Sequence, residues 1–282
     1  MNYRYSNQST AALFTLRVRE EIFEHYFKEK DPNGTLYTIV WNRGSEQTVK
    51  VDEVNYRFAA NAVLPIMMSQ SFRFEKPEQV VAWQFNREFY CIVNHDAEVG
   101  CVGFVFYGPS PTMFIQFDAD NVGVMERLLA VFEEEFILEE DNKADMLRLL
   151  LVRLIIRITR LAKKKYLGTE DLVEEKFNLI RQFHLQVEIY YRKEHKVQFY
   201  AGLLNKSPKT VANIFSLYSK KTPLQVIRER IISEARRLFY YTDKPVKEIA
   251  ADLGFEDVAH FSKFFKTCTN QNPSALKKVV KG

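Results

Sequence analysis

The chain has 282 residues, 46% hydrophobic and 27% charged, a composition that fits two or three folded domains and excludes a disordered or fibrous protein. Its net charge of +4 hides an asymmetry: residues 1–141 carry 12 Lys and Arg against 22 Asp and Glu, whereas residues 142–282 carry 28 against 14. A basic half is either a solvated surface or a polyanion binder, and its pairing with an acidic half points to a nucleic-acid-binding domain joined to one that does not bind nucleic acid.

Residues 1–120 read mainly as strands. Leu36 to Trp41 is β-rich and stops at the turn signal Asn42-Arg43-Gly44-Ser45. Gln47 to Asp52 alternates apolar and polar residues, and Val80–Phe85, Phe89–Val93, Gly103–Tyr107 and Thr112–Phe117 are further candidates. Short strands between turn signals predict an all-β sandwich or barrel, whose mouth can hold a small ligand. By residue type alone, Trp41, Trp83, Phe85, Phe72 and Arg57 are candidate ligand residues, with Tyr56, Phe58, Arg17 and Gln70 beside them; aromatics in such strands also serve as plain core.

The period then becomes helical. One helix is expected over Val122–Phe136 and a second over Ala144–Lys165. In the second, Leu147, Leu151, Leu154, Ile158 and Leu161 follow at intervals of 4, 3, 4 and 3. That interval fits a short coiled-coil seam between two copies, and it also fits a helix packed inside its own chain. Domains are accordingly expected at 1–120 (β), 121–168 (helical linker and dimerisation) and 172–282. The last opens with a helix from about Leu172 to His195 that repeats Phe177, Ile180, Phe183, Val187 and Tyr191 on one face.

Metal, cofactor and catalytic signatures are missing. Cys91, Cys101 and Cys268 do not have zinc-site spacing and are expected reduced. His95, with Asp96 and Glu98, is the one imidazole well placed in the candidate barrel, too little for a metal cluster, and no phosphate loop or nucleophile motif is present. The polar first nine residues do not lead into a signal peptide. Leu149 to Ile158, the most apolar run, is broken by Arg153 and Arg157. A cytoplasmic non-enzyme with no membrane partner is expected.

From Lys196 onward the sequence repeats at about fifty residues. Ala201 recurs as Ala250 and Leu204 as Leu253. Val211, Ile214 and Phe215 recur as Phe261, Phe264 and Phe265, and Thr222-Pro223 as Asn272-Pro273. The offset grows from 49 to 50, so the second copy has one more residue in its turn. Each copy has the physics of a helix-turn-helix: a small residue where two helices approach, a turn at Asn205-Lys206-Ser207 or Gly254-Phe255-Glu256, and a cap at Ser207 or Asp257. The second helix of each copy buries one stripe and leaves the other free for a major groove. Between the copies, Pro223–Tyr241 reads as a single helix with Leu224, Ile227, Ile231, Ala235 and Leu238 on its apolar face.

Arg236-Arg237-Leu238, Val246 to Ala250, Gly254-Phe255 with Asp257, Phe261 to Lys266 and Pro273-Ser274 together resemble the signature of AraC/XylS-type bacterial transcription regulators. The resemblance covers about residues 172–278; over 1–140 the strands and the Trp41–Gly44 turn are loosely similar to that family's cupin-like sensor domains. It implies an α+β multidomain fold with a cupin-like barrel or sandwich, a helical dimerisation linker and an all-α domain of two helix-turn-helix units. It further implies an effector-controlled regulator, an activator in most of the family, that is homodimeric and binds promoter DNA beside RNA polymerase. The alternatives are a ligand-independent DNA-binding protein whose β domain serves assembly, and a cupin-type enzyme fused to a DNA module.

Carried over position by position, the resemblance presents Lys209, Ala212 and Asn213 of the first reader to base edges, and Val258, Ala259, His260 and Lys263 of the second. Asn suits adenine, Lys suits guanine, and Ala or Val suits a thymine methyl. Lys206, Thr210, Lys220, Lys221 and Lys266 are the expected phosphate contacts. The family's usual Arg is Asn213 in copy one and Lys263 in copy two, and its usual post-helix glycine is Lys220 and Asn270.

Overall fold

A computed structural model describes residues 1–25, 36–52, 54–68, 70–95, 103–107, 112–166, 171–219 and 221–281. The chain divides into two compact units, one drawn mainly from residues 1–170 and one mainly from 171–282.

The described part of the first unit holds ten strands: β1 (Asn2–Asn7), β2 (Ala12–Val18), β3 (Glu24–His25), β4 (Tyr37–Asn42), β5 (Gln47–Val51), β6 (Val54–Phe58), β7 (Ala62–Ile66), β8 (Phe72–Phe74), β9 (Val80–Phe85) and β10 (Ile115–Gln116). They form two antiparallel sheets, ordered β1-β2-β9-β4-β7-β10 and β3-β8-β5-β6. Val40, Leu64 and Ala82 of the larger sheet share one apolar core with Val49, Phe58, Phe72 and Phe74 of the smaller, so the sheets face each other as a sandwich.

Among the described residues four α-helices accompany these sheets: α1 (Ile92–His95), α2 (Phe104–Tyr107), α3 (Ala119–Ile137) and α4 (Lys143–Tyr166). The far face of the larger sheet is covered by α3: Phe132 lies 5.8 Å from both Trp83 and Phe14, and Phe136 lies 5.4 Å from Phe14. Burial on both faces explains why every residue of β4 and β9 is buried and why neither strand alternates in polarity.

Three sequence expectations change here. Phe89–Val93 and Gly103–Tyr107 are not strands: the single-turn helix α1 begins near the end of the first, at Ile92, and α2 lies within the second. Short aromatic and β-branched runs do not distinguish strand from helix, and here the side chains are used as plugs. Phe89 stacks on Phe14 at 4.8 Å, and Phe106 packs against Tyr37 at 5.1 Å. The third change concerns the coiled-coil seam. Leu147, Leu151, Leu154 and Ile158 are fully buried within this chain, and Leu161 is half-buried. A side chain already covered by its own chain has no surface to give to a second copy, so the 4-3-4-3 interval is an intrachain packing seam. The outward side of α4 carries Met146, Leu149, Arg153 and Arg160 instead.

The second unit is all helical in its described residues: α5 (Asp171–Tyr190), α6 (Val197–Leu203), α7 (Pro208–Tyr218), α8 (Pro223–Tyr241), α9 (Val246–Asp252), α10 (Val258–Thr269) and α11 (Pro273–Lys281). Its core gathers Ile180, Phe183, Val187, Phe215, Ile227, Ile231, Phe239, Phe261 and Phe265. Fully burying one such side chain contributes about 1.5–3 kcal/mol. α8 starts where the sequence says it should: Thr222 accepts from Gln225 N, the Gln225 side chain accepts from Thr222 N, and Pro223 stands at the first helical position. On its apolar face Ile227, Ile231, Ala235 and Leu238 are buried as expected, whereas Leu224 is 38% exposed and Val226, Ile232 and Phe239 take up the burial. α5 ends five residues before His195, and a turn leads into α6.

Among the described residues no helix is long and apolar enough to cross a membrane, and no three His, Cys, Asp or Glu side chains gather as a metal site.

Candidate nucleic-acid interface

The two helix-turn-helix copies match bond for bond. In copy one Leu204 N donates to Tyr200 O, Asn205 N to Gly202 O and Lys206 N to Ala201 O; in copy two Leu253 N donates to Ile249 O, Gly254 N to Ala251 O and Phe255 N to Ala250 O. Every pair is offset by 49. Asn205 (φ 53°) and Gly254 (φ 77°) hold the same left-handed position. Ser207 then accepts from Thr210 N at 3.1 Å and Asp257 from Ala259 N at 3.0 Å, so the caps are offset by 50. The additional residue of copy two is therefore Glu256, between the turn and the cap. Ala201 and Ala250 are buried, which lets the helices of each pair approach.

On α7, Val211 and Phe215 are buried and Lys209, Ala212 and Asn213 are exposed together, at helical spacings that put them on one face. Ser216 and Leu217, the latter 73% exposed, continue this stripe; Tyr218, seven residues after Val211, turns inward, meeting Phe177 at 5.4 Å. On α10, Phe261 and Phe265 are buried, while Ala259, His260, Lys263, Lys266 and Thr267 are exposed. Val258 is half-buried and packs against the core, and the His260 ring rests 5.5 Å from Phe255. The free face of the second reader is thus centred on Ala259 and Lys263.

The phosphate candidates differ in availability. Lys206, Thr210 and Lys266 are exposed. The Thr210 hydroxyl is 2.8 Å from that of Ser207, and Lys221 Nζ is already paired with Glu229 at 2.5 Å. Lys220 lies outside the described residues. Copy one ends on extended Ser219, whereas copy two ends on Asn270 in the left-handed region at φ 59°.

The remaining candidates fall in the sandwich and do not share one wall. Trp41, Trp83 and Phe85 are buried on the helix-facing side of the larger sheet, and neither tryptophan indole N–H meets an acceptor among the described residues. Phe72 and Phe58 lie between the sheets. Arg57 is exposed on β6 and pairs with Glu46 at 2.5 Å; Tyr56 is half-buried. Arg17 donates to Gln84 Oε1 at 2.7 Å, and Gln70 donates to Asp52 at 3.1 Å. His95 closes α1 instead of lining a barrel: its Nδ1 is 2.8 Å from Cys91 O and its ring stacks on Tyr90. Cys101, Asp96 and Glu98 lie outside the described residues.

Residues 200–278, from within the opening helix of the first copy to α11, match the family described as Helix-turn-helix domain. The C-terminal domain is of the AraC/XylS type. The AraC-type segment is 30% identical over 71 residues to the arabinose operon regulatory proteins of Salmonella typhimurium (strain LT2) and Escherichia coli (strain K12). The match spans about a quarter of this chain and about a quarter of each relative. Over the whole chain, wild-type ToxT from Vibrio cholerae, in its crystal structure with an unsaturated fatty acid bound, superposes with a TM-score of 0.46 and 17% identity, covering 97% of this chain and 96% of ToxT.

Proposed function

We propose that the protein is a sequence-specific DNA-binding transcription regulator. One observation carries this reading: two capped helix-turn-helix copies in the basic half each leave one polar stripe in solvent, Lys209-Ala212-Asn213 and Ala259-Lys263, while their opposite stripes bury into one common core. Asn213 suits adenine through its amide, Lys263 suits the O6 and N7 of guanine, and the alanines suit thymine methyls. Lys206 and Lys266 flank the readers as phosphate contacts that position without specifying sequence. Gel retardation of random-sequence DNA by the full chain tests this. Retardation is expected at low salt, with an affinity that falls steeply as salt rises, because each neutralised phosphate releases counterions. A full chain that retards no DNA at low salt sinks the proposal.

Control by a small molecule in the β unit is the second part of the reading. It is supported by Trp41 and Trp83, fully buried with indole N–H groups that meet no acceptor among the described residues. These are the chain's two tryptophans, so intrinsic fluorescence reports on the layer directly. An effector is expected to change their emission and raise the melting temperature. A metabolite that alters DNA binding while leaving both unchanged places control elsewhere.

Assembly as a homodimer is the third part. The seam of α4 being internal, its outward stripe is the candidate surface: Leu149 is 65% and Met146 41% exposed, with Arg153 and Arg160 alongside. The outward side of α3 presents exposed Glu134 beside Val131, with exposed Leu138 just past its end. Basic-apolar and acidic-apolar faces of one helical hairpin complement each other across a twofold axis, so the occupant is a second copy of this chain.

A further inference from the structure

The segment 191–196, between α5 and α6, is fastened to three separate parts of the second unit. Arg192 Nη2 donates to Glu234 Oε1 of α8 at 2.7 Å. The Arg192 backbone carbonyl lies so close to Gly254, in the turn of the second copy, that a Cβ there would come within 2.3 Å of it. The His195 ring sits 4.7 Å from Phe255 of the same turn. Tyr200 of the first copy donates its hydroxyl to Glu194 O at 2.6 Å. One short segment therefore touches the first reader's support helix, the second reader's turn and the helix that joins them.

Glu234 anchors this arrangement. Its side chain is only 5% exposed and also accepts two bonds from Arg237, at 2.7 and 3.0 Å. Arg230, 11% exposed, lies 3.5 Å from Glu234 and pairs with Glu188 of α5 at 2.7 Å, with its guanidinium 3.9 Å above the Tyr191 ring. A buried ionic network of this kind is a poor source of net stability, since desolvation cancels most of the attraction. Its directional bonds do select one geometry among several of similar packing energy.

We propose that the 191–196 segment, held by Glu234, is a positioning element that sets the separation and angle of the two reading helices, so that the pair accepts DNA segments at one spacing only. α8 links the copies in sequence, and their apolar stripes meet in one core, whose non-directional packing does not by itself fix an angle. The segment adds a second connection and closes a ring through α6, α8 and the turn at Gly254. The proposal rests on the DNA-reading function above, and it names what makes two readers act as one.

The test uses the full chain and two substitutions. Arg192→Gln removes a half-exposed fork with little cost to folding, and Glu234→Gln keeps shape while removing the shared charge. Bound sequences are selected from random DNA with the wild-type protein, and affinity is then measured on the selected site and on the same site with one base pair inserted between its halves. The insertion moves the second half by about 3.4 Å and turns it by roughly 35°. Wild-type affinity is expected to drop at least about tenfold on insertion. In Arg192→Gln, with unchanged circular dichroism, the drop is expected to shrink to about threefold or less while affinity for the selected site itself falls. A folded Arg192→Gln and a folded Glu234→Gln that both keep the wild-type insertion penalty overturn the proposal, as does a wild-type protein indifferent to the insertion. A wild-type protein that recovers no sequence at all overturns the DNA-reading function itself, which is a separate result.

Discussion

Gly254 and Glu234 show how single residues decide local structure in opposite ways. Gly254 is constrained by backbone: its φ of 77° suits a residue without Cβ, and the Arg192 carbonyl occupies the space a side chain would need. Asn205 holds the equivalent left-handed position in copy one with a side chain. Gly254→Ala is therefore expected to lower unfolding free energy by at least about 2 kcal/mol, strain plus clash, whereas Asn205→Gly is expected to stay within about 1 kcal/mol; urea unfolding of both variants measures the contrast. Glu234 is constrained by charge. Burial raises its pKa, but the hydrogen bond from Arg237 and the charges of Arg230, Arg237 and Arg192 outweigh burial and hold it down at about 2, against 4.5 for the free side chain. A carboxyl whose folded pKa is depressed stabilises the fold above its unfolded pKa and loses that contribution as pH falls toward the folded value. That contribution is intact above roughly pH 4.5 and disappears between there and pH 2. Stability measured from pH 6 to pH 2.5 is expected to fall across that window in the wild type and to lose this part of the slope in Glu234→Gln.

At the scale of elements, legibility followed punctuation. α8 was readable to the residue because Thr222-Pro223 marks its start, and the two turns because Asn205, Ser207, Gly254 and Asp257 have local chemistry that needs no distant partner. β4, β5 and β9 were likewise legible from composition and flanking turns. β1 and β7 were not: β7 contains Pro65, and β1 is polar along its length, so pairing rather than propensity makes them strands. The segments of α1 and α2 failed for the converse reason, since their aromatic content suits a strand as well as a plug. For the reading elements, the exposed stripes translate into substitutions. Lys263→Ala and Asn213→Ala are each expected to cost about 1–3 kcal/mol of specific binding and to relax base preference at one position, while Lys206→Ala is expected to weaken all sequences alike; retardation on cognate and scrambled DNA separates the two behaviours. Leu217 follows the helical period: Tyr218, seven residues after Val211 and three after Phe215, falls on the buried face, and Leu217 falls off it.

For the whole molecule, the consequence drawn from α4 is a difference between its two faces. Leu154 is part of the intrachain seam, so Leu154→Glu is expected to destabilise the β unit by several kcal/mol, about as much as other unpaired charges placed in a core, and to be seen as loss of melting temperature. Leu149→Glu leaves the fold intact and is expected to shift sedimentation from dimer to monomer. A Leu149→Glu protein that sediments as the wild type does, both as monomers, removes the second copy from the outward face. The sequence by itself determined the helix-turn-helix half: its repeat, its caps, its turns and its basic charge are local properties, each written within a few residues of where it acts. Tertiary structure decided what depends on which surface meets which. It placed the leucine seam inside the chain, assigned Trp41 and Trp83 to a sheet face covered by helices, and brought Arg192, Glu234 and Gly254 together from three parts of the chain. Periodicity says that a face is apolar, and only packing says what covers it.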